Sequence, residues 1–165
     1  MLGIFRKIER DTRFTVDEEA FGRIRKLKFV YRYTVETAEL SSLKHNIKNT
    51  ILPIRETPVY QYIQSQKIEN YLTYIKNNTF VSEQKSVQKF DGLIDELKSA
   101  SYDPKRGIVV INKDGIIIDG LHRSCILLEQ LGEDARIPVL KLYYPGFGIK
   151  RRIKRTIQKC RISKK

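Results

Sequence analysis

Residues 108–132 read IVVINKDGIIIDGLHRSCILLEQLG. Two β-branched runs, 108–111 and 116–118, flank an Asp-Gly pair at Asp114 and Gly115. β-Branched residues suit a pleated, buried surface, and Asp-Gly favours a tight turn, so the two runs predict a hairpin. The leucine-rich segment that follows predicts a helix stopping at Gly132. Beyond it, IPVLKLYY predicts a further strand over 137–143. Between hairpin and helix stands Asp119-Gly120-Leu121-His122-Arg123.

That junction has its own physics. A helix N-terminus carries free N–H groups and partial positive charge, and His and Arg in the first turn add like sign to like sign. Such a start is offset when an anion the size of a phosphate binds there. Gly120 would let backbone approach that anion. Three roles stand open for Asp119: holding a metal on the phosphates, orienting His122, or receiving a proton. A plain helix cap is the structural alternative.

Working outward, NTILPIRETPVYQYI places Pro53 and Pro58 where a helix cannot continue, which predicts a short strand over 51–54, a turn, then helix. Tyr60, Ile63, Tyr71, Leu72 and Ile75 recur at helical spacing and predict core packing. A second helix over 86–100 puts Val87, Phe90, Leu93, Ile94 and Leu97 on one face, with Ser86 as its cap and the sheet as its partner. Nearer the N-terminus, a helix is expected from about Thr15 with Asp17, Glu18 and Glu19 in its first turn, and a strand over 29–36. The fold class is α+β, a small mixed sheet with flanking helices. The expected organisation is an N-terminal extension (1–48) packed on the core, a core domain (49–144) and a basic tail (145–165).

Composition narrows the setting. With 41% hydrophobic and 31% charged residues the chain reads as globular. No apolar run approaches the ~20 residues of a membrane span, and the N-terminus lacks the apolar core of a secretory signal. Two cysteines, Cys125 and Cys160, are too few for a disulfide framework, which favours a cytoplasmic setting. Cys125 is read as a core residue. His45 has no metal-ligand neighbour at suitable spacing and is read as a surface or core histidine. Residues 150–165 hold nine Lys or Arg and no acid, so nine of the net +13 charges reside there. Ile149, Ile153, Ile157 and Cys160 fall on one helical face of that segment. A narrow apolar stripe on a basic helix suits an anionic membrane surface at the inner face, ahead of an acidic partner or nucleic acid. A solvated end is the bland alternative.

The run 108–132 followed by IPVLKLYY resembles the core of the ParB/sulfiredoxin superfamily. There a hairpin leads into a Gly-x-His/Arg-Arg turn and a helix that hold nucleotide phosphates. NTILPIRETP (49–58) resembles that family's first strand and Pro-rich turn, so the likeness spans 49–144. It implies phosphate contacts from Gly120, Leu121, His122, Arg123 and Ser124, with Arg55 as a further contact or a solvated turn arginine. Leu121 stands where sulfiredoxin has its cysteine, so sulfinic-acid reduction is not expected. The residues after 144 are too few for the DNA-binding helices of partition proteins. The free serine kinase branch matches best, with an Asp-Gly-His-x-Arg turn and a catalytic Glu near the first strand. Here His122 directly precedes Arg123, one position off that spacing, and Glu56 follows the first strand.

The resemblance thus implies a nucleotide-dependent phosphotransferase using ATP, or ADP or CTP, with Mg²⁺ held on the phosphates through Asp119. Glu56 or Asp119 would take a proton from a small hydroxyl-bearing substrate or glycan intermediate, and His122 and Arg123 would stabilise the transferred group. The alternative is a non-enzymatic ParB-like nucleotide-sensing or DNA-binding module. A nuclease ranks last, because Asp119 and Glu56 are the sole carboxylates available for a metal pair.

Overall fold

In the computed structural model the described residues are 2–27, 29–78 and 83–145. The chain begins with α1 (Leu2–Glu9), α2 (Glu18–Lys26), β1 (Arg32–Glu39), β2 (Lys44–Ile47) and β3 (Thr50–Pro53). It continues through α3 (Pro58–Ser65), α4 (Ile68–Asn78), α5 (Glu83–Ser99), β4 (Val109–Asn112), β5 (Ile117–Asp119), α6 (Leu121–Leu131) and β6 (Arg136–Tyr143). The four-stranded sheet has the order β1-β6-β4-β5, and β2 and β3 form a separate hairpin. β4 runs parallel to β6 while the β1–β6 and β4–β5 pairs are antiparallel, so the sheet is mixed and the fold is α+β.

The expected β4–β5 hairpin forms. The Asn112 side chain accepts hydrogen bonds from the N–H groups of Asp114 and Ile116 at 2.8 and 2.9 Å, and Gly115 takes φ 76°. Short polar side chains that bond their own backbone stabilise turns in this way. The register shifts between Val110 and Ile111, so Val110 faces Asp119 while Ile111 faces Ile117. A bulge of this kind re-aims the side chains beyond it.

β4 is apolar in both phases of the strand, and both faces of the sheet are covered. Val109 and Ile111, with Ile137 and Val139 of β6, join a core built from α3 to α6. Ile108 and Val110, with Leu140 and Leu142, join a second core under α1 and α2. Each fully buried aliphatic side chain contributes about 1.5–3 kcal/mol. The expected extension therefore supplies an edge strand, β1, paired with β6 along its whole length, and the helical layer of the second face. α2 starts at Glu18, three residues after the expected Thr15, because Asp17 serves as its cap instead of lying in its first turn, accepting from Ala20 N–H at 2.7 Å.

Several expectations are corrected. α5 begins at Glu83, so Ser86 lies inside it and is no cap. Its apolar face packs on α4 and α6 rather than on the sheet, because α6 already occupies the sheet face beneath it. β1 runs three residues later than the predicted strand, since its register is set by pairing with β6 rather than by local composition. β3 pairs with β2, a strand that its polar composition, KHNI, concealed. The expected tail helix lies outside the described residues. No helix among the described residues is long and apolar enough to cross a membrane.

Candidate functional site

The junction is held by geometry at Gly120. Its φ of 90° is a left-handed conformation, and a Cβ there would lie 3.1 Å from the Val109 Cα. Only glycine fits so close to β4. Leu121 is buried in the core, and Ser124 is fully buried with its hydroxyl donating to the Gly120 carbonyl at 2.9 Å. Their side chains anchor α6, so a ligand here would meet backbone N–H groups. α2 and α3 carry side-chain caps from Asp17 and Thr57, whereas α6 has none. Asp119 is no cap. Its carboxylate accepts from Arg23 of α2 at 2.7 Å.

Asp119 is mostly withdrawn from water, its side chain 13% exposed. Burial pushes its carboxyl up to about 6, against the pull of Arg23 and Arg123, with Asp17 and Glu19 adding like charge. Arg23 also pairs with Glu19 one helical turn away. Arg123, partly buried in the first turn of α6, has no hydrogen-bond or ion-pair partner among the described residues. Its guanidinium lies against Gly107, where a Cβ would come within 2.6 Å of a terminal nitrogen. Tyr102 and the edge of α5 (Leu93, Glu96, Leu97) line the same recess.

His122 turns the other way. Its Nε2 lies 2.9 Å from the Tyr71 hydroxyl, and Phe90 packs edge-on at 4.6 Å between ring centroids. Burial pulls its imidazole down to about 4, aided by His45 and Arg23, so it is neutral at physiological pH. It therefore brings no positive charge to a phosphate. His45 Nε2 lies 3.1 Å from the Tyr74 hydroxyl, and its Nδ1 sits near the Ile117 backbone, short of hydrogen-bond geometry. Tyr71 and Tyr74 are one turn apart on α4, so both histidines converge on one helix. Tyr71 packs in the core as expected and His45 is half-buried, but sequence reasoning linked neither to the junction and missed Arg23; the one available signal was that β4 is apolar in both phases, which demands a covering layer such as α2.

The other expected residues lie elsewhere. Arg55 pairs with Glu133 at 3.3 Å, past the end of α6. Glu56, exposed, lines a separate cleft with Lys48 and Tyr74. Cys125 is fully buried, its thiol pushed up to about 12 by burial. Among the described residues no cluster of three His, Cys, Asp or Glu side chains could hold a metal ion.

Comparison with protein-family models, with curated proteins and with solved structures returns no match for this chain.

Proposed function

We propose that the protein is a nucleotide-dependent phosphotransferase of ParB/sulfiredoxin-like fold, moving a phosphoryl group to a hydroxyl of a small molecule or glycan intermediate. The observation that carries this reading is Arg123, which sits in the first turn of a helix with no side-chain cap and whose guanidinium has no hydrogen-bond or ion-pair partner among the described residues. A phosphate supplies acceptors both to a first-turn arginine and to the N–H groups of a helix start.

Asp119 is the proton acceptor in this reading. A carboxylate held near 6 is mostly ionised at neutral pH, yet basic enough to share the proton of an attacking hydroxyl. Arg123 and the α6 N–H groups would stabilise charge on the transferred group. With no cluster of three ligating side chains among the described residues, Mg²⁺ would be held mainly by the nucleotide phosphates themselves. The ion would neutralise phosphate charge. His122, neutral and bonded to Tyr71, positions the first turn of α6 instead of carrying charge.

The test is calorimetric titration of ATP, ADP and CTP with Mg²⁺, followed by assay of phosphate transfer. Arg123→Ala should lower nucleotide affinity about tenfold or more, the worth of a charged hydrogen bond. Asp119→Asn and Glu56→Gln distinguish the two candidate bases: loss of turnover with affinity kept identifies the one in use. A folded protein that binds none of the three nucleotides sinks the proposal. Salt-dependent DNA binding without phosphate transfer would replace it with the non-enzymatic module.

A further inference from the structure

The turn from α2 into β1 sets two aromatic side chains in solvent. Phe29 and Tyr31 are 58% and 65% exposed, whereas Val30 between them is buried in the core under α1 and α2. Val30 anchors the segment and leaves its neighbours on the outer side. Phe29 holds φ 66°, a left-handed backbone that a bulky residue adopts only at a cost. Its ring joins neither core, and Gly or Asn would fit such a turn better. Folding alone therefore gives no reason for an aromatic residue at this position.

Cations flank the two rings. Lys26, the last residue of α2, is exposed and has no hydrogen-bond or ion-pair partner among the described residues. Arg32 is exposed, its guanidinium over the Tyr143 ring at 5.1 Å from the centroid. No Asp or Glu lies between Glu19 and Glu36 in the sequence to offset them. The Tyr31 N–H donates to the Tyr143 carbonyl at 3.0 Å, so this segment lies beside the end of β6. Seven residues after Tyr143 the sequence enters the 150–165 run, with its nine Lys or Arg. The aromatic turn and the basic run thus join the fold at one place.

The interface of a bilayer takes up aromatic rings, tyrosine with its polar tip in particular, and anionic headgroups attract Lys and Arg. Nucleic acid would attract the same cations, and its bases would stack on the rings. It has no counterpart, however, for the aliphatic positions Ile149, Ile153 and Ile157, which suit hydrocarbon. We propose that Phe29, Tyr31, Lys26 and Arg32 form a docking face for an anionic lipid surface, with the charge of residues 150–165 adding to the attraction. The docking face goes beyond the phosphotransferase reading and does not depend on it.

The full chain is sedimented with vesicles of phosphatidylcholine alone, or of equal parts phosphatidylcholine and phosphatidylglycerol, without nucleotide. The expected result is binding to the anionic vesicles in preference to the neutral ones, lost as salt is raised. In the Phe29→Asn/Tyr31→Ser double variant the partition coefficient should fall about tenfold, the effect of withdrawing two rings from the interface. Asn tolerates the left-handed backbone and both positions are exposed, so the variant should keep its thermal midpoint. If it does not, Lys26→Glu/Arg32→Glu takes its place and should lose binding likewise. Absence of binding to anionic vesicles, equal binding to neutral ones, or unchanged binding by the folded variant overturns the assignment. A single-stranded oligonucleotide bound by the chain in place of anionic vesicles would overturn it too, and would give the face to nucleic acid.

Discussion

Arg23 and Asp119 meet at 2.7 Å across 96 residues of sequence. The pair ties α2, from the second face of the sheet, to the strand that leads into α6. It also brings Arg23 near the two neutral histidines, whose protonation it opposes.

The first prediction concerns pH. The Asp119 carboxyl is raised from 3.8 to about 6 by burial, so the folded state holds its proton more tightly than the unfolded chain. Its contribution to stability is full below about 4 and is lost as pH rises through about 6. The His122 imidazole is lowered from 6.5 to about 4, so its contribution is full above 6.5 and is lost as pH falls towards 4. Between about 4 and 6 the two slopes oppose, each at most about 1.4 kcal/mol per pH unit. Wild-type stability in urea should therefore be nearly flat over that window. Asp119→Asn should unmask a rise with pH, and His122→Gln a fall. Parallel pH profiles for all three proteins would show that the shifts are absent.

A second expectation concerns two glycines. Gly120→Ala combines φ 90° with a Cβ 3.1 Å from Val109 Cα, and should cost about 1–3 kcal/mol in denaturant unfolding. Gly107→Ala, at φ 144°, drives a Cβ to 2.6 Å from the Arg123 guanidinium. It should weaken nucleotide binding as Arg123→Ala does, although Gly107 itself lies outside the junction. Unchanged affinity in Gly107→Ala would mean that the position of Arg123 is immaterial to the ligand.

Tyr71→Phe removes the hydroxyl that satisfies His122 Nε2 in a buried setting. Leaving that nitrogen without a partner should cost about 1–3 kcal/mol. It should also shift the His122 ring resonances in NMR, while an exposed control such as Gln64→Leu leaves them in place. A Tyr71→Phe protein with wild-type stability and spectra would exclude the pair.

Cys125 offers a covalent probe. With its thiol fully buried and pushed up to about 12, it should resist iodoacetamide at mildly alkaline pH and react only in denaturant. Peptide mass spectrometry distinguishes it from Cys160. Rapid native labelling at Cys125 would mean that Ile54 and Thr57, which lie against the sulfur, move away readily.

Some of this fold is written locally. The Asn112–Gly115 turn, the β-branched runs on either side of it, the stop at Gly132 and the acidic run Asp17, Glu18 and Glu19 near the α2 start depend on residues a few positions apart, whose backbone preferences act over that same range. Those features located β4, β5, α6, β6 and α2, and with them the Asp119–Arg123 junction. The site around the junction came from packing. The KHNI strand has no apolar alternation to announce it, so nothing in its composition linked His45 to Tyr74 or to the neighbourhood of His122. Arg55 and Glu56 are adjacent in sequence, yet a single 3₁₀ turn sends one to Glu133 and the other to the cleft. Arg23 reached Asp119 because a sheet strand apolar on both faces must be covered twice, and the chain had α1 and α2 for the second layer. The sequence by itself determined the β4–β5 hairpin, β6 and where α6 begins, while α1 and β2 left no such mark. Which charges are paired, that both histidines are held neutral and which arginine is left for a ligand was decided only by the tertiary structure, because burial and long-range partners set those properties and local preferences do not.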